Sequence, residues 1–527
     1  MKRIGLGVAG ILMVGGCQSP MDNLDTILMR HQHAAANPHE NGRASSSPDG
    51  AGLTTGQAEG LLPPGLLTLE SARSIAVRAN PDIHAAQARL EAALARVGEA
   101  QSRYFPTATF SHSAARTFHT PASRNRLNTL LLSSQPVPTD VDLGGGDPVL
   151  TTLLNALRRP FFNTSDDQGN RNSFSEHSTA LTFSWTAFDG FIREAQILGA
   201  KYVYRAASYS LADAERLITH ALDTAYYQVQ LAEEQLRIAR ADEQFSREQY
   251  EETQTLQAAG RATQADVGNF RVRMLAAQAN VTGATGVRDT GRVVLAELMG
   301  LGAGVLAEDT VLSPLTEETT EEISVPGAEP WLEKAMRNRP DVEQLSAVVE
   351  SERENTRAVR GLFSPSLLLS GSWGFDRSST IRYTVEDQSS AAAVELRWEL
   401  YSGGSREARL RAAEAAATEA QAALHRLKLS VQSQVRTAII DLSVAQGQIR
   451  LRRESLESAR ENRRAIQAGY LGGKETLTRL NEAQRDFIEA DANLALARIR
   501  LRQAWTDLYS AAAAYGGDED GSGDSPP

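Results

Sequence analysis

Few residues in this sequence have the types and the spacing that a catalytic or metal site requires. The nine histidines include one close pair, His31 and His33, but no third or fourth ligand follows at the spacing of a metal site. The sequence contains no glycine-rich phosphate loop and no ordered set of nucleophile, base and acid. It therefore predicts no enzyme activity, no cofactor and no metal site.

The only cysteine, Cys17, ends an N-terminal segment built for export. Three residues, Met1-Lys2-Arg3, form a basic start, an apolar run follows over residues 4–14, and Gly15-Gly16 precede the cysteine. Residues 1–16 resemble a bacterial lipoprotein signal peptide, in which the acylated cysteine comes directly after small residues. We expect Cys17 to be lipidated, and its acyl chains would hold this end in a membrane. The alternative is a small residue in a signal that is simply discarded.

One long unit occurs twice in the chain. Trp185 corresponds to Trp398, and Gly260 to Gly473, at the same offset of 213 residues. Self-similarity at a fixed offset predicts a repeated supersecondary unit. The same offset also aligns Gly190 with Gly403, Arg193 with Arg406 and Asn280 with Asn493.

A second match lies upstream of each copy. Asn80-Pro81-Asp82 corresponds to Arg339-Pro340-Asp341, and a further proline, Pro106 or Pro365, follows 25 residues after the first. The offset here is 259, so the first copy carries 46 additional residues before its tryptophan. We interpret these residues as an enlarged loop.

After Pro106 and Pro365 the hydrophobic period changes from that of a helix to that of a strand. Leu181, Phe183 and Trp185 share one side, and the stretch from Val394 to Leu400 alternates apolar with charged residues. Such alternation with interfacial aromatics is typical of transmembrane barrel strands. We predict β-hairpins at about residues 107–188 and 366–401, although a hairpin packed on helices in water is an open alternative.

Four strands cannot close a barrel of useful diameter, and open sheet edges are not tolerated in lipid. Three chains would supply twelve strands and close it. The fold class that we predict is therefore mainly α with a β-barrel portion, to which each chain contributes four transmembrane strands.

Each copy continues as a long helical hairpin. Proline-free runs of about 70 and 67 residues start at Gly190 and Gly404, and at about 1.5 Å per residue each spans roughly 100 Å. Return helices of about 37 and 38 residues begin at Thr263 and Thr476. Their narrow apolar seams suit a curved coiled-coil wall, with a plain rod as the alternative.

These elements predict a set of segments along the chain. They are the signal peptide (1–16), a lipid-anchored tether (17–65), the first repeat (66–300), an acidic linker outside the helical wall (301–329), the second repeat (330–514) and a disordered tail (515–527).

Composition excludes one class of partner. The net charge of −11 argues against nucleic acid, because phosphate binding needs clustered Lys and Arg.

With the duplication, the Asn-Pro-Asp match, the strand hairpins and the lipoprotein signal, the chain resembles the TolC-like outer-membrane efflux protein family over about residues 66–514. The resemblance implies a homotrimer with a barrel in outer-membrane lipid and an α-helical tunnel across the periplasm. It also implies docking with a periplasmic adaptor and an inner-membrane pump. The implied function is export of small toxic molecules or proteins in a tripartite efflux or type I secretion system.

The resemblance extends to the tips of the helical hairpins. Gly260, Thr263 and Asp266 follow the family's Gly-x-x-Thr-x-x-Asp-Val pattern, and the second tip carries Gly473, Thr476 and Leu477. The implied adaptor-docking residues are Gly260, Thr263, Gly473, Thr476 and Leu477, and the implied periplasmic gate residues are Arg479, Glu482 and Asp266. Arg479 stands where some relatives have Asp, and Arg479 and Glu482 could also be ordinary solvated helix charges.

The alternative from another class is a periplasmic coiled-coil adaptor or scaffold lipoprotein. Adaptors also have helical hairpins, but they would need β-rich domains flanking a single hairpin, and the duplication fits that arrangement poorly.

Overall fold

The computed structural model describes residues 65–118, 173–302, 304–307, 309–319, 322–324, 326–378 and 382–515. The predicted signal peptide with Cys17, residues 17–64 of the tether, residues 119–172 of the enlarged loop and residues 516–527 of the tail lie outside the described residues.

Each repeat has two short helices, one long helix and one return helix. In the first repeat these are α1 (Leu69–Ala79), α2 (Pro81–Ser102), α3 (Ile192–Ala258) and α4 (Gln264–Leu298). In the second they are α5 (Ala328–Asn338), α6 (Pro340–Gly361), α7 (Ser405–Leu471) and α8 (Leu477–Ala512).

The long and return helices have nearly the same lengths in the two repeats. Helices α3 and α7 each have 67 residues, and their return helices α4 and α8 have 35 and 36. The short helical segment of each repeat breaks at Asn80 or Arg339, because the residue before a proline is driven out of the helical region. In the described part of the chain, no helix combines the length and the apolarity needed to cross a membrane.

Each short segment packs on its own hairpin. In the first repeat, Ile75 and Ala76 of α1 join Leu222 and Tyr226 of α3 and Leu295 of α4 in one buried cluster. In the second repeat, Leu332 and Ala335 of α5 join residues of α7 and α8 in another. Burial of these side chains is what attaches the short helices to the long ones.

The strands form a four-stranded antiparallel sheet in the order β2-β3-β5-β6. The strands are β2 (Thr107–Phe118), β3 (Ser173–Phe188), β5 (Ser366–Ser378) and β6 (Gln388–Arg397). The predicted alternation runs on to Leu400, but β6 ends at Arg397, which lies opposite the first residue of β5, Ser366. Pro365 precedes that residue and has no N–H to continue the ladder.

The register gives the sheet one apolar face and one polar face. Leu181 lies opposite Phe110 and Trp373, and Leu369 lies opposite Trp185 and Val394. We call the face that holds these side chains the apolar face. On the other face, here the polar face, Thr109, Thr182 and Ser372 lie opposite one another, and Glu395 follows toward the end of β6.

The two repeats build the same junction between helix and strand. Trp185 Nε1 donates to Tyr104 O at 2.8 Å, and Trp398 Nε1 donates to Phe363 O at 3.2 Å. Tyr104 and Phe363 follow the ends of α2 and α6, where helical carbonyls lack intrahelical partners. The tryptophans therefore connect the strands to the helix ends.

An arginine completes each junction. Arg193 Nη1 donates to Arg103 O at 3.4 Å and its guanidinium lies 5.1 Å from the centre of the Tyr104 ring. Arg406 Nη1 donates to Leu362 O at 3.3 Å and stacks on Phe363 at 5.1 Å. Both arginines are buried, so they supply donors where water has little access.

The linker between the repeats is attached to a strand and to two helices. Two of its residues, Val311–Leu312, form strand β4, which pairs in parallel with β1 (Leu66–Leu67). The Glu318 carboxylate, 2% exposed, pairs with Arg453 of α7 and with Arg498 of α8, the latter at 2.8 Å. Burial alone would raise the pKa of Glu318, but a backbone hydrogen bond and the two arginines outweigh it and lower the pKa.

Two glycines at equivalent positions test the packing at the start of the long hairpins. Gly190 (φ +73°) and Gly403 (φ +64°) both have left-handed backbones, which cost a non-glycine residue about 1–2 kcal/mol. A Cβ on Gly190 would also lie 2.5 Å from Gly361 O, whereas a Cβ on Gly403 meets nothing within 4 Å. Gly190→Ala should therefore lower the free energy of unfolding by about 1–3 kcal/mol more than Gly403→Ala, because of the added clash.

Each variant is unfolded in urea, and tryptophan fluorescence monitors the unfolding. Equal losses in the two variants would contradict the close approach of Gly190 to Gly361.

Candidate functional site at the hairpin tips

The first hairpin tip is a glycine turn between α3 and α4. Gly260 has φ +73°, its N–H donates to Gln257 O at 2.9 Å, and the Arg261 N–H donates to Leu256 O at 2.8 Å. This pair of bonds is a Schellman motif, which closes the last turn of a helix and needs a left-handed residue, usually glycine. Gly260 thus ends α3 and reverses the chain.

Thr263 and Asp266 start the return helix. Thr263 Oγ1 accepts from the Asp266 N–H at 3.2 Å, and Asp266 Oδ2 accepts from the Thr263 N–H at 2.9 Å. This reciprocal arrangement is a capping box. The bonds from the Thr263 backbone and hydroxyl lower the pKa of Asp266. Asp266, one of the predicted gate residues, therefore stabilises the start of α4 with its carboxylate.

The second tip has the same turn but a weaker cap. Gly473 has φ +70° and the Gly473 and Lys474 N–H groups donate to Tyr470 O and Gly469 O at 2.9 and 2.8 Å. Thr476 Oγ1 accepts from the Arg479 N–H at 3.4 Å, and Leu477 is the first residue of α8. The third helical residue is an arginine, so no carboxylate returns a bond to the cap.

The predicted pair Arg479 and Glu482 is not joined in the structure. Arg479 Nη1 lies 3.5 Å from Glu475 Oε2, in the turn before the helix, with the Arg479 side chain 63% exposed. Glu482 is exposed on α8. Both side chains therefore lie at the surface of this chain. Arg479 pairs with Glu475, which the sequence pattern did not indicate.

Behind the tips lies a polar cluster that the sequence pattern does not predict. Gln484 of α8 is 2% exposed; its Nε2 donates to Asp242 Oδ1 of α3 at 3.4 Å, and its Oε1 accepts from Arg463 Nη1 of α7 at 3.3 Å. Arg463 also stacks on Phe487, 4.4 Å from the ring centre. A helical glutamine two residues after a surface glutamate carries no signal of burial, so only the packing revealed it.

Arg273 adds a second connection between the repeats in this cluster. Its Nη2 donates to Asn481 O of α8 at 3.0 Å. Burial raises the pKa of Asp242, although Gln484 and Arg273 act in the opposite direction, and burial also lowers the pKa of Arg273. The two hairpins are therefore joined near their tips by partly buried charges and one amide.

Comparison with known proteins places this geometry in a family. Residues 72–301 and 331–514 match the family model described as outer membrane efflux protein. The chain belongs to the outer membrane efflux protein family. This result confirms the TolC-like resemblance on which the tip residues were chosen.

The curated relatives of this efflux family member match it in part. Alkaline protease secretion protein AprF of Pseudomonas aeruginosa is 27% identical over 296 residues, covering 56% of this chain and 60% of AprF. Outer membrane protein TolC of Vibrio cholerae is 24% identical over 291 residues, covering 53% of this chain and 65% of TolC. The matched region thus spans less than two thirds of the length of these relatives.

A solved structure matches the fold over almost the whole chain. The CmeC outer membrane channel of Campylobacter jejuni superposes with a TM-score of 0.68 at 14% identity, covering 90% of this chain and 93% of CmeC. The order of elements given above is therefore that of a known outer membrane channel fold.

Within the described residues, no group of three His, Cys, Asp or Glu side chains is placed to hold a metal ion.

The capping box predicts an acid-sensitive first tip. Because the folded-state pKa of Asp266 lies below its ordinary value of 3.8, the stabilisation is present above that value and is lost as the pH falls through the folded pKa. Hydrogen exchange of the Thr263–Asp266 amides, corrected for intrinsic rates, should accelerate in acid in the wild type. In Asp266→Asn it should be fast already at neutral pH.

The second tip is the internal control for this experiment, because residue 479 is an arginine and not an acid. The same acid acceleration at both tips would contradict the role of Asp266. Thr263→Ala should weaken the start of α4 by about 0.5–2 kcal/mol.

Proposed function

We propose that three copies of this chain form the outer-membrane channel of a tripartite efflux or type I secretion system. The channel exports small toxic molecules or proteins across the periplasm and the outer membrane. Each chain adds four strands to a twelve-stranded barrel and two helical hairpins to an α-helical tunnel. Transport energy comes from the inner-membrane partner, and the chain itself carries out no chemistry.

The sheet is the observation that carries this proposal. Its apolar face is exposed, with Phe110 and Val394 each at 70%, and its opposite face is lined with Ser and Thr. Within the described ranges, β2 and β6 each pair along one side only. A sheet with a lipid-compatible face and two open edges becomes stable in a membrane when β6 of one copy pairs with β2 of the next.

The helices support assembly with further copies. Helix α7 exposes Leu429, Ile440 and Leu451, which are spaced by 11 residues and so lie on one side of the helix, together with Val444. Helix α4 exposes Val272, Leu275 and Val287. Apolar stripes on long helices are typical of interfaces with other helices, and a second copy of this chain offers the complementary stripe.

The names of the relatives support the proposed transport function. AprF is named for the secretion of alkaline protease, and CmeC is described as an outer membrane channel. We expect a periplasmic adaptor to dock on the two tips, at Gly260, Thr263, Gly473, Thr476 and Leu477. Lipidation at Cys17 and the segment boundaries drawn from the sequence stay predictions.

Imaging of the detergent-solubilised protein by single-particle electron microscopy tests the channel. The expected particle is a hollow cylinder with threefold symmetry and a helical part roughly 100 Å long, from about 1.5 Å per residue over α3 or α7. Solid monomeric or dimeric rods would contradict the proposal and favour the scaffold alternative.

We propose further that Arg479 and Glu482 control ion passage at the periplasmic mouth. Three copies of each side chain around a narrow opening would focus charge there. Asp266 is the weaker gate candidate because its carboxylate already caps α4.

Planar bilayer recordings test this gate. Arg479→Ala removes three positive charges from the mouth, so the cation current and the preference for cations should rise, whereas Glu482→Gln should lower that preference. Arg409→Ala, an exposed arginine near the start of α7, is the matched control and should behave as the wild type. An unchanged conductance and reversal potential in Arg479→Ala would contradict the gate assignment.

A further inference from the structure

The middle of the return helix α4 is rich in glycine. Gly283, Gly286 and Gly291 fall within nine residues, and all three lie well inside the helix. At the offset of 213, the corresponding residues of α8 are Leu496, Ile499 and Ala504. Glycine in a helix interior is less favourable than alanine, because it loses more conformational freedom on folding. The return helix of the first repeat therefore has a weak stretch at a level where that of the second repeat has good helix formers.

Packing in this chain explains one of the three glycines. A Cβ on Gly291 would lie 3.2 Å from Val229 Cγ2 of α3, so the close approach of the two helices favours glycine there. Among the described residues, a Cβ on Gly283 or Gly286 meets nothing within 4 Å. A side chain would therefore fit at both of these positions, and contact with another helix of this chain is not what requires glycine there.

Threonines in the same stretch weaken the helix further. Three hydroxyls donate to the carbonyl oxygen four residues earlier, at 2.8–3.1 Å, and they belong to Thr282, Thr285 and Thr290. Each hydroxyl competes for that carbonyl with the backbone N–H of its own residue. Such back-bonding slightly destabilises a helix and often bends it.

The weak stretch also has few buried contacts. We call residues 278–291 the glycine segment; the structure describes every one of its residues, and none of them is buried in this chain. The corresponding stretch of α8, residues 491–504, contains six buried residues, which are Leu494, Ala495, Ala497, Ile499, Leu501 and Ala504. A scarcity of buried contacts is characteristic of segments that open at low cost in free energy.

Both ends of the glycine segment are attached. Before it, the side chain of Phe270 is 1% exposed. After it, Arg292 Nη1 donates to Thr310 O of the linker at 3.0 Å, and Leu295 is fully buried. A change of direction between two fixed regions is absorbed by the few residues that resist it least.

We propose that the glycine segment is a hinge at which α4 bends, so that the first hairpin tip moves relative to the linker. Helix α3 is continuous at this level, so it curves gently over its length while α4 takes up the sharper change. The hinge needs only this chain. Its use, which is to move the first tip at the periplasmic mouth, rests on the proposed channel.

Hydrogen–deuterium exchange of the full-length, detergent-solubilised protein tests the hinge. After correction for intrinsic rates, the amides of residues 278–291 should exchange roughly tenfold faster than those of residues 491–504. Gly283→Ala and Gly286→Ala should each slow exchange of the glycine segment about fivefold, which is the difference in helix propensity between the two residue types. Equal exchange in the two stretches, or no slowing in the double variant, would overturn the hinge.

Gly268→Ala is the matched control. Gly268 is also an exposed glycine of α4 at which a Cβ would meet nothing within 4 Å, but it lies outside the glycine segment. Its substitution should leave exchange of residues 278–291 unchanged, and slowing equal to that in the double variant would contradict a local hinge.

Native mass spectrometry separates the hinge from a contact between copies. The double variant Gly283→Ala/Gly286→Ala should have the same oligomeric mass as the wild type. A smaller mass would show that the two glycines admit a helix of another copy, and it would overturn the hinge.

Bilayer conductance separates the hinge from the proposed function. The double variant should lower the fraction of time that the channel is open, because a stiffer α4 resists movement of the first tip, whereas Gly268→Ala should behave as the wild type. An unchanged open fraction in the double variant would sink the use of the hinge in opening. A wild-type protein that does not conduct would sink the channel, while the exchange experiment would still decide whether α4 bends.

Discussion

The change from helix to strand at the end of each short helical segment is the constraint on which the rest of the structure depends. A helix that ends leaves carbonyls without partners, and a strand that begins there needs a fixed direction. Trp185 and Arg193 meet both needs in the first repeat, since they donate to the backbone of Tyr104 and Arg103. Trp185 lies near the end of β3 and Arg193 near the start of α3. The strand and the start of the long helix are therefore both attached to the residues that follow α2.

The duplicated sequence reproduces this junction but not the other connections. In the first repeat, Arg73 of α1 forms a two-pronged ion pair with the fully buried Asp223 of α3, at 2.7 and 2.6 Å. The corresponding positions in the second repeat are Leu332 and Arg436. Loss of one member of such a buried ion pair leaves an uncompensated charge. Replacement of the pair in the second repeat is therefore tolerable only because both positions differ. The second repeat is held instead by the arginines that bind the linker glutamate, Glu318.

The two hairpin tips show the same division between a shared frame and individual chemistry. Gly260 and Gly473 make the same turn because the left-handed backbone that ends each long helix requires glycine. The residue three positions after the capping threonine is an aspartate in one tip and an arginine in the other. The first tip is consequently closed by its own carboxylate, while the second leaves Arg479 and Glu482 exposed.

Periodicity and repetition in the sequence determined the elements and their pairing into hairpins. The proline-free runs set the helix lengths, Pro81 and Pro340 set the breaks, and the alternation around Trp185 and Val394 determined which side chains share the apolar face. These are local consequences of backbone geometry, so neighbouring residues suffice to predict them. The family pattern at the tips likewise located Thr263 and Asp266.

Only the tertiary structure decided which distant side chains meet. Nothing in the sequence around Gln484 indicates burial. Its side chain is buried between Asp242 and Arg463 because α3, α7 and α8 converge there. Glu318 belongs to the acidic linker, and only the packing shows that its carboxylate lies between arginines of two different helices. His177 and Arg116 become neighbours through the register of β2 and β3. Such contacts depend on packing between segments far apart in the chain, and hydrophobic period carries no information about them.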